Sequence, residues 1–252
     1  MKNQRASQSK FYFLLLSLVF FFSSPMLMAM EWQRAYLATF PRSGNHWMRY
    51  LIEEATHIAT SSVYCDPDKP HLDKLFPWKG YCADHGYEGR CRYPEPEEVV
   101  VVKTHYPHLQ PFEGDLLPFT KAIHIVRHPV DCLYSLYLHS QNGKPSTPVM
   151  PKQTLMGFIH SMKNFEEYWT QKENVMTIRY EDLFDRPFPI LKAVLQFIGY
   201  EASDEDILRA VRKHPPSGEK LKHWRKYPLE DLKYIQSELQ AFMYKYNYTM
   251  RM

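Results

Sequence analysis

Four short apolar runs without polar alternation stand out along the chain: Ala35–Phe40 (AYLATF), Val99–Thr104 (VVVVKT), Lys121–Val126 (KAIHIV) and Val175–Arg179 (VMTIR). Such runs predict strands buried on both faces, as in a parallel sheet. Helical spacing of apolar residues fills much of the rest. In His46–His57 it is carried by Trp47, Met48, Leu51, Ile52 and Ala55. Pro129–Ser140 opens on proline, favoured at a helix start. Further helices are predicted at Gln153–Gln171, Pro189–Ile198, Ser203–Lys213 and Glu230–Tyr246, with Thr154 and Ser203 as caps and Asp204, Glu205 and Asp206 in the first turn after Ser203. Strands alternating with helices predict an α/β domain: three layers, a mostly parallel sheet flanked by helices, with right-handed crossovers. The segment from about 60 to 96 follows no period and is rich in Pro, Tyr, Asp and Cys. It reads as an insertion into a single domain spanning 31–252, either a disulfide-tied lid or substrate loop, or an irregular surface loop.

The first 30 residues have a different pattern. Lys2, Arg5 and Lys10 precede an apolar run, Phe11–Phe22, which Ser23-Ser24-Pro25 interrupts before Met26–Met30. That order predicts a secretory signal peptide with Ala29 as the cleavage residue, or an uncleaved signal anchor of about 20 residues holding the protein to a membrane. Either form places the body outside the cytosol, in the secretory pathway or Golgi lumen, secreted or single-pass anchored. Cys65, Cys82, Cys91 and Cys132 allow three pairings, and an oxidising lumen favours at least one disulfide. Asn247-Tyr248-Thr249 is an N-glycosylation acceptor in such a compartment.

With 252 residues and 44% apolar content, the chain is long enough for its own core and too apolar to be disordered. Its formal charge of +3 comes from 31 basic and 28 acidic residues. The leader holds three of the basic ones, so the body is balanced and offers no bulk cationic field for nucleic acid.

The candidate chemistry collects at strand ends. The first strand runs into Pro41-Arg42-Ser43-Gly44-Asn45-His46-Trp47 and then a helix, an arrangement that presents backbone N–H groups and the positive helix end to an anion. The G-x-x-x-x-G-K-[ST] loop is absent. The second strand ends at Lys103-Thr104-His105, offering an electrostatic stabiliser and a general base. The third ends at Arg127, and Ser135 follows eight residues later, a pair able to grip one phosphate. In an open parallel sheet all these ends share one edge, where ligands bind.

The segments FPRSGNHW, VVVVKTH, HIVRHPVDCLYSLY and IRYEDL, in this order, resemble successive signatures of sulfotransferases that use 3′-phosphoadenosine 5′-phosphosulfate (PAPS). The resemblance runs from Tyr36 to about Trp224. It implies a fold like that of P-loop nucleoside triphosphate hydrolases, PAPS as co-substrate and no metal. It further implies transfer of a sulfuryl group to a hydroxyl acceptor, with carbohydrate favoured over protein tyrosine or a small molecule outside the cytosol. Arg42 stands where the family usually has Lys, and Asn45 and His46 replace a commoner pair of threonines; Ser43, Gly44 and Trp47 match. The resemblance makes His105 the base, Lys103 and Arg42 its catalytic partners, Trp47 and Tyr180 neighbours of the adenine, and Arg127 with Ser135 the 3′-phosphate pair. Gly218 and Trp224 resemble the segment that closes over the cofactor, where Lys220 or Lys222 can add charge. Taken without the resemblance, the same residues also suit a metal-dependent kinase or hydrolase, or a non-catalytic secreted module binding sulfated or phosphorylated glycans.

Overall fold

The structure, a computed structural model, describes residues 33–64, 91–92, 94–95, 98–111, 116, 118–218, 220 and 222–250. The expectations for the leader, for Cys65 and Cys82, and for most of the insertion lie outside these residues.

The predicted strands form in place as β1 (Arg34–Thr39), β3 (Val100–Thr104), β4 (Lys121–Val126) and β5 (Val175–Arg179), joined by a two-residue edge strand β2 (Ser61–Ser62). The sheet order is β2-β3-β1-β4-β5, and every pairing is parallel. Leu37 of β1 lies opposite Lys103 on one side and Ile123 on the other. Central β1 is enclosed on both faces: Ala35, Tyr36, Leu37 and Ala38 are fully buried. This explains its unbroken apolar run.

The helices are α1 (Asn45–Thr56), α2 (Pro129–Ser140), α3 (Lys152–Thr170), α4 (Tyr180–Asp185), α5 (Pro187–Ile198), α6 (Asp204–Lys213), α7 (Leu229–Glu238) and α8 (Gln240–Lys245). On one face of the sheet Ala35, Leu37, Val101, Ile123 and Ile125 pack with Met48, Leu51 and Ile52 of α1, Leu191, Val194, Leu195 and Ile198 of α5, and Ile207 and Ala210 of α6. On the other, Tyr36 meets Phe119 and Trp169 edge-on, and Phe40 meets Phe165, which brings α3 against the sheet. The three-layer α/β expectation is met.

One predicted helix is divided in two, and the short α4 is a helix the sequence pattern did not predict. Glu230–Tyr246 is two helices, because Leu239 leaves helical geometry (φ −111°) while staying buried between α7 and α8. The short α4 precedes Pro187; proline disfavours helical geometry at the residue before it, and α4 stops at Arg186. Ser203 caps α6 as predicted, its Oγ accepting the Asp206 N–H at 3.1 Å. Among the described residues, no helix is long and apolar enough to cross a membrane.

The disulfide expectation fails for Cys132. It is fully buried beneath the β1–α1 loop, its thiol donating to the Pro41 carbonyl at 3.2 Å, and burial pushes its pKa up to about 11. Cys91 places its Sγ 3.8 Å from the Glu53 carbonyl.

Candidate active site

Because all strands are parallel, Thr39, Thr104, Val126 and Arg179 end at one edge, and a cleft of about 720 Å³ opens there. Arg42, Gly44, Asn45, His46, Trp47, Lys103, His105, Arg127 and Tyr180 line it, together with Tyr64, His108, Leu109, Leu136, His139 and Ser217. No aspartate or glutamate is among the described lining residues.

The loop between β1 and α1 is a tight turn, with the Ser43 N–H bonded to the Phe40 carbonyl at 3.1 Å. Two residues in it adopt left-handed geometry, Arg42 (φ 72°) and Gly44 (φ 103°). At Gly44 glycine is required twice over. A Cβ there would lie 2.7 Å from Tyr180 Cδ2, so the turn and the Tyr180 ring can approach only without a side chain. Met48 is the first residue whose N–H turns back into α1, to the Gly44 carbonyl at 3.1 Å. The amides of the preceding first turn stand at the cleft, where a helix start favours an anion. Asn45 braces this end, donating from Nδ2 to Thr39 Oγ1 at 3.1 Å, while its buried Oδ1 has no partner.

Ser43 is placed differently from the loop residues that line the cleft. It is 1% exposed and its Oγ lies 3.2 Å from Cys132 Sγ, beneath the loop rather than in the cleft. The turn that brings Gly44, Asn45 and His46 to the cleft points this hydroxyl inward, toward Cys132.

Arg127, at the end of β4, donates from Nη1 to the Arg42 carbonyl at 2.8 Å, and its Nη2 lies 3.5 Å from Asp131. Its guanidinium sits over the Tyr180 ring at 4.4 Å, and its buried Nε has no partner in the protein. Arg42 in turn donates from Nε to Ser135 Oγ at 3.2 Å. The loop cation, the strand-end arginine and the α2 hydroxyl therefore form one connected group. Beside it, Trp47 and Tyr180 meet edge-on at 5.8 Å, and Trp47 is held by its Nε1–H to the His214 carbonyl at 2.9 Å.

His105 is fixed from three sides. Its Nδ1 lies 2.7 Å from the Thr39 carbonyl, which can only accept, so Nδ1 carries the proton and Nε2 keeps its lone pair. Its backbone N–H donates to Tyr64 Oη at 2.8 Å, and the Tyr64 ring stacks on the imidazole at 5.7 Å and 17°. Burial, with the Lys103 charge adding to it, pushes the imidazole pKa down to about 3. Lys103 Nζ stands 5.9 Å over the other partner of that stack, the Tyr64 ring.

Of the C-terminal candidates, Gly218 and Trp224 do not reach the cleft; Ser217 does. Lys220 is engaged by Asp185, and the His223 N–H donates to Asp131 Oδ1 at 3.0 Å, which folds this segment back against α2. Tyr64, Thr39 and His108 are site residues that the strand-end reading passed over. Tyr64 was legible only as one aromatic within the unpatterned insertion.

Comparison with known proteins agrees with this geometry. The profile of the sulfotransferase domain matches residues 33–245. A WSCD family member, GA21586, of Drosophila pseudoobscura pseudoobscura is 30% identical over 202 residues, covering 75% of this chain and 55% of that protein. Sulfotransferase 6B1 of Mus musculus is 26% identical over 183 residues, covering 68% and 56% respectively. The chain thus spans little more than half the length of either relative. The crystal structure of mouse sulfotransferase SULT7A1 complexed with PAP superposes with a TM-score of 0.54 at 19% identity, covering 88% of this chain and 89% of that one, and shares the fold. With the matched segment taking in the whole sheet, the β1–α1 loop and every strand end that lines the cleft, the chain belongs to the sulfotransferase domain family.

Proposed function

We propose that the protein is a PAPS-dependent sulfotransferase acting outside the cytosol on a carbohydrate hydroxyl. The observation that carries the reading is the convergence of the α1 amide end, the Arg42–Arg127–Ser135 group and the oriented His105 on one cleft. The residues fit an adenosine 3′,5′-bisphosphate. The buried Arg127 Nε lacks a partner, the described cleft wall carries no acid to repel phosphates, and Trp47 and Tyr180 offer aromatic surface beside the cations.

PAPS, when bound, supplies the sulfuryl group and a bisphosphate leaving group. The rest is work for the chain. Arg127, Arg42 and the first amides of α1 hold the anionic groups and stabilise negative charge as it develops. His105, with Nδ1–H committed to Thr39, takes the acceptor's hydroxyl proton at Nε2. Its low basicity stems from burial and the Lys103 charge; anionic groups nearby raise it. Lys103 sets a positive charge beside the reacting groups. Support for a carbohydrate acceptor comes from Tyr64, an aromatic wall next to His105, and support for the location comes from the leader pattern.

The test is transfer of labelled sulfuryl from PAPS to glycans, tyrosyl peptides and small phenols, with His105→Ala in parallel. The expected result is label in glycan that depends on His105. Label only in peptides or phenols would remove the carbohydrate acceptor and keep the sulfotransferase. Magnesium-dependent ATP turnover, or glycan binding without transfer, would replace the reading with a kinase or a non-catalytic module.

A further inference from the structure

The last rung of the β4–β5 ladder pairs Val126 with Arg179. The next residue on each side lines the cleft: Arg127 and Tyr180, with the guanidinium 4.4 Å over the ring. One residue further on, a side chain takes over where the ladder has stopped. Glu181 Oε1 accepts the His128 N–H at 2.9 Å, so a carboxylate bridges the two segments just beyond the Arg127–Tyr180 pair. Its other oxygen, Oε2, accepts the Tyr248 hydroxyl at 2.7 Å.

Tyr248 comes from the segment after α8, and that segment is seated on the ends of β4 and β5. The residue is 7% exposed, its ring stacks on Phe242 at 6.0 Å and meets His128 edge-on at 5.1 Å, and the Arg179 guanidinium lies 4.7 Å over it. The His128 Nε2–H donates to the Thr249 carbonyl at 3.2 Å, a second tie from the same segment to the end of β4. Burial, then the Glu181 charge, pushes the Tyr248 pKa up, so the phenol keeps its proton and donates it. A carboxylate fixed at both oxygens has little freedom to turn, and what it holds is held with it. The sulfotransferase profile ends at residue 245, so Tyr248 stands outside what the family model describes.

We propose that Tyr248 is a positioning residue for the nucleotide cleft: it holds Glu181 in its bridge to His128 and thereby sets Arg127 against Tyr180. The inference rests on the reading of the cleft as a site for an adenosine bisphosphate, and it is separable from that reading by experiment. Tyr246 supplies a matched control. Its hydroxyl also donates to a carboxylate, Glu166 Oε1 at 2.6 Å, but Glu166 lies on α3 and is not among the residues lining the cleft.

The experiment is calorimetric titration of the full-length protein with adenosine 3′,5′-bisphosphate, for wild type, Tyr248→Phe, Tyr246→Phe, Arg127→Ala and the Arg127→Ala, Tyr248→Phe double variant, with a thermal melt of each. Phenylalanine keeps either ring in its packing and removes only the hydroxyl, so both tyrosine variants fold and both melt somewhat lower than wild type. In Tyr248→Phe the bisphosphate dissociation constant should rise about three- to tenfold, while in Tyr246→Phe it stays within about twofold. With Arg127 already replaced, Tyr248→Phe should cost less than about twofold further, since the pair it positions is gone. Equal weakening in the two tyrosine variants, an unchanged constant in Tyr248→Phe, or an undiminished effect in the Arg127→Ala background would overturn the inference while leaving the bisphosphate site standing. Failure of folded wild type to bind would remove the site itself and the inference with it.

Discussion

Cations on the outer helices and cations at the sheet's carboxyl edge are held in opposite ways. On the outside they meet carboxylates. Lys213 lies 2.8 Å from Glu54, Lys163 2.6 Å from Glu238, Lys192 2.6 Å from Asp204, Arg92 2.6 Å from Glu98, and Arg209 2.6 Å from Asp206. In the cleft, Arg42 is bonded to a hydroxyl, and Arg127 to a carbonyl with Asp131 only at 3.5 Å. Exposed ion pairs contribute little, about 0–1 kcal/mol, whereas positive charge gathered in a concave site whose described lining residues include no acid raises the local concentration of anions. The balanced charge of the body conceals this segregation: net charge is a sum, and binding depends on where the charges stand.

The comparison can be broken at several points. His105→Ala removes the proposed base and should lower turnover by about 10²–10⁴-fold, with bisphosphate affinity nearly unchanged, as read by steady-state and binding measurements together. Acid pH should separate the buried imidazoles from the surface pairs. His105 and His124 are both pushed down to about 3 by burial, so in the fold they stay neutral while the unfolded chain takes up protons near pH 6.5. Their contribution is fully present above that pH and falls as pH drops from 6.5 toward 4.5, by about 1.4 kcal/mol per pH unit for each. Glu54 and Glu98, whose pKa values are lowered, add losses only below the usual carboxylate range. Urea midpoints across that window measure the slope, and a flat line would place both imidazoles in water.

Gly44→Ala should cost about 1–2 kcal/mol from the left-handed backbone alone, lowering the melting temperature by about 2–4 °C per kcal/mol. It should also weaken bisphosphate binding, because its Cβ would displace Tyr180 from beneath Arg127. The smallest effect belongs to the outer surface. Lys213→Ala should change stability by less than about 1 kcal/mol and leave nucleotide binding untouched.

Burial explains what was legible beforehand. β1, β3 and β4 showed themselves as apolar runs because both faces of each are covered, and the parallel order then gathered Lys103, His105 and Arg127 at one edge. β2 is two serines at the edge of the sheet and carries no period, so no pattern could announce it. The loop sequence pointed to a helix start at the cleft but not to which atoms face it: Ser43 turns under the loop to Cys132, a contact between residues 89 positions apart. Trp224 is outside the cleft lining, in the segment whose His223 N–H donates to Asp131 of α2.

The most direct test of the central claim is calorimetric titration of the full-length protein with adenosine 3′,5′-bisphosphate without metal, for wild type, Arg127→Ala and Lys213→Ala. Wild type and Lys213→Ala should bind alike, and Arg127→Ala should bind about 10–100-fold more weakly, as expected for loss of charged hydrogen bonds. Equal weakening by the two substitutions, or no binding by folded wild type, would contradict the assignment of the cleft.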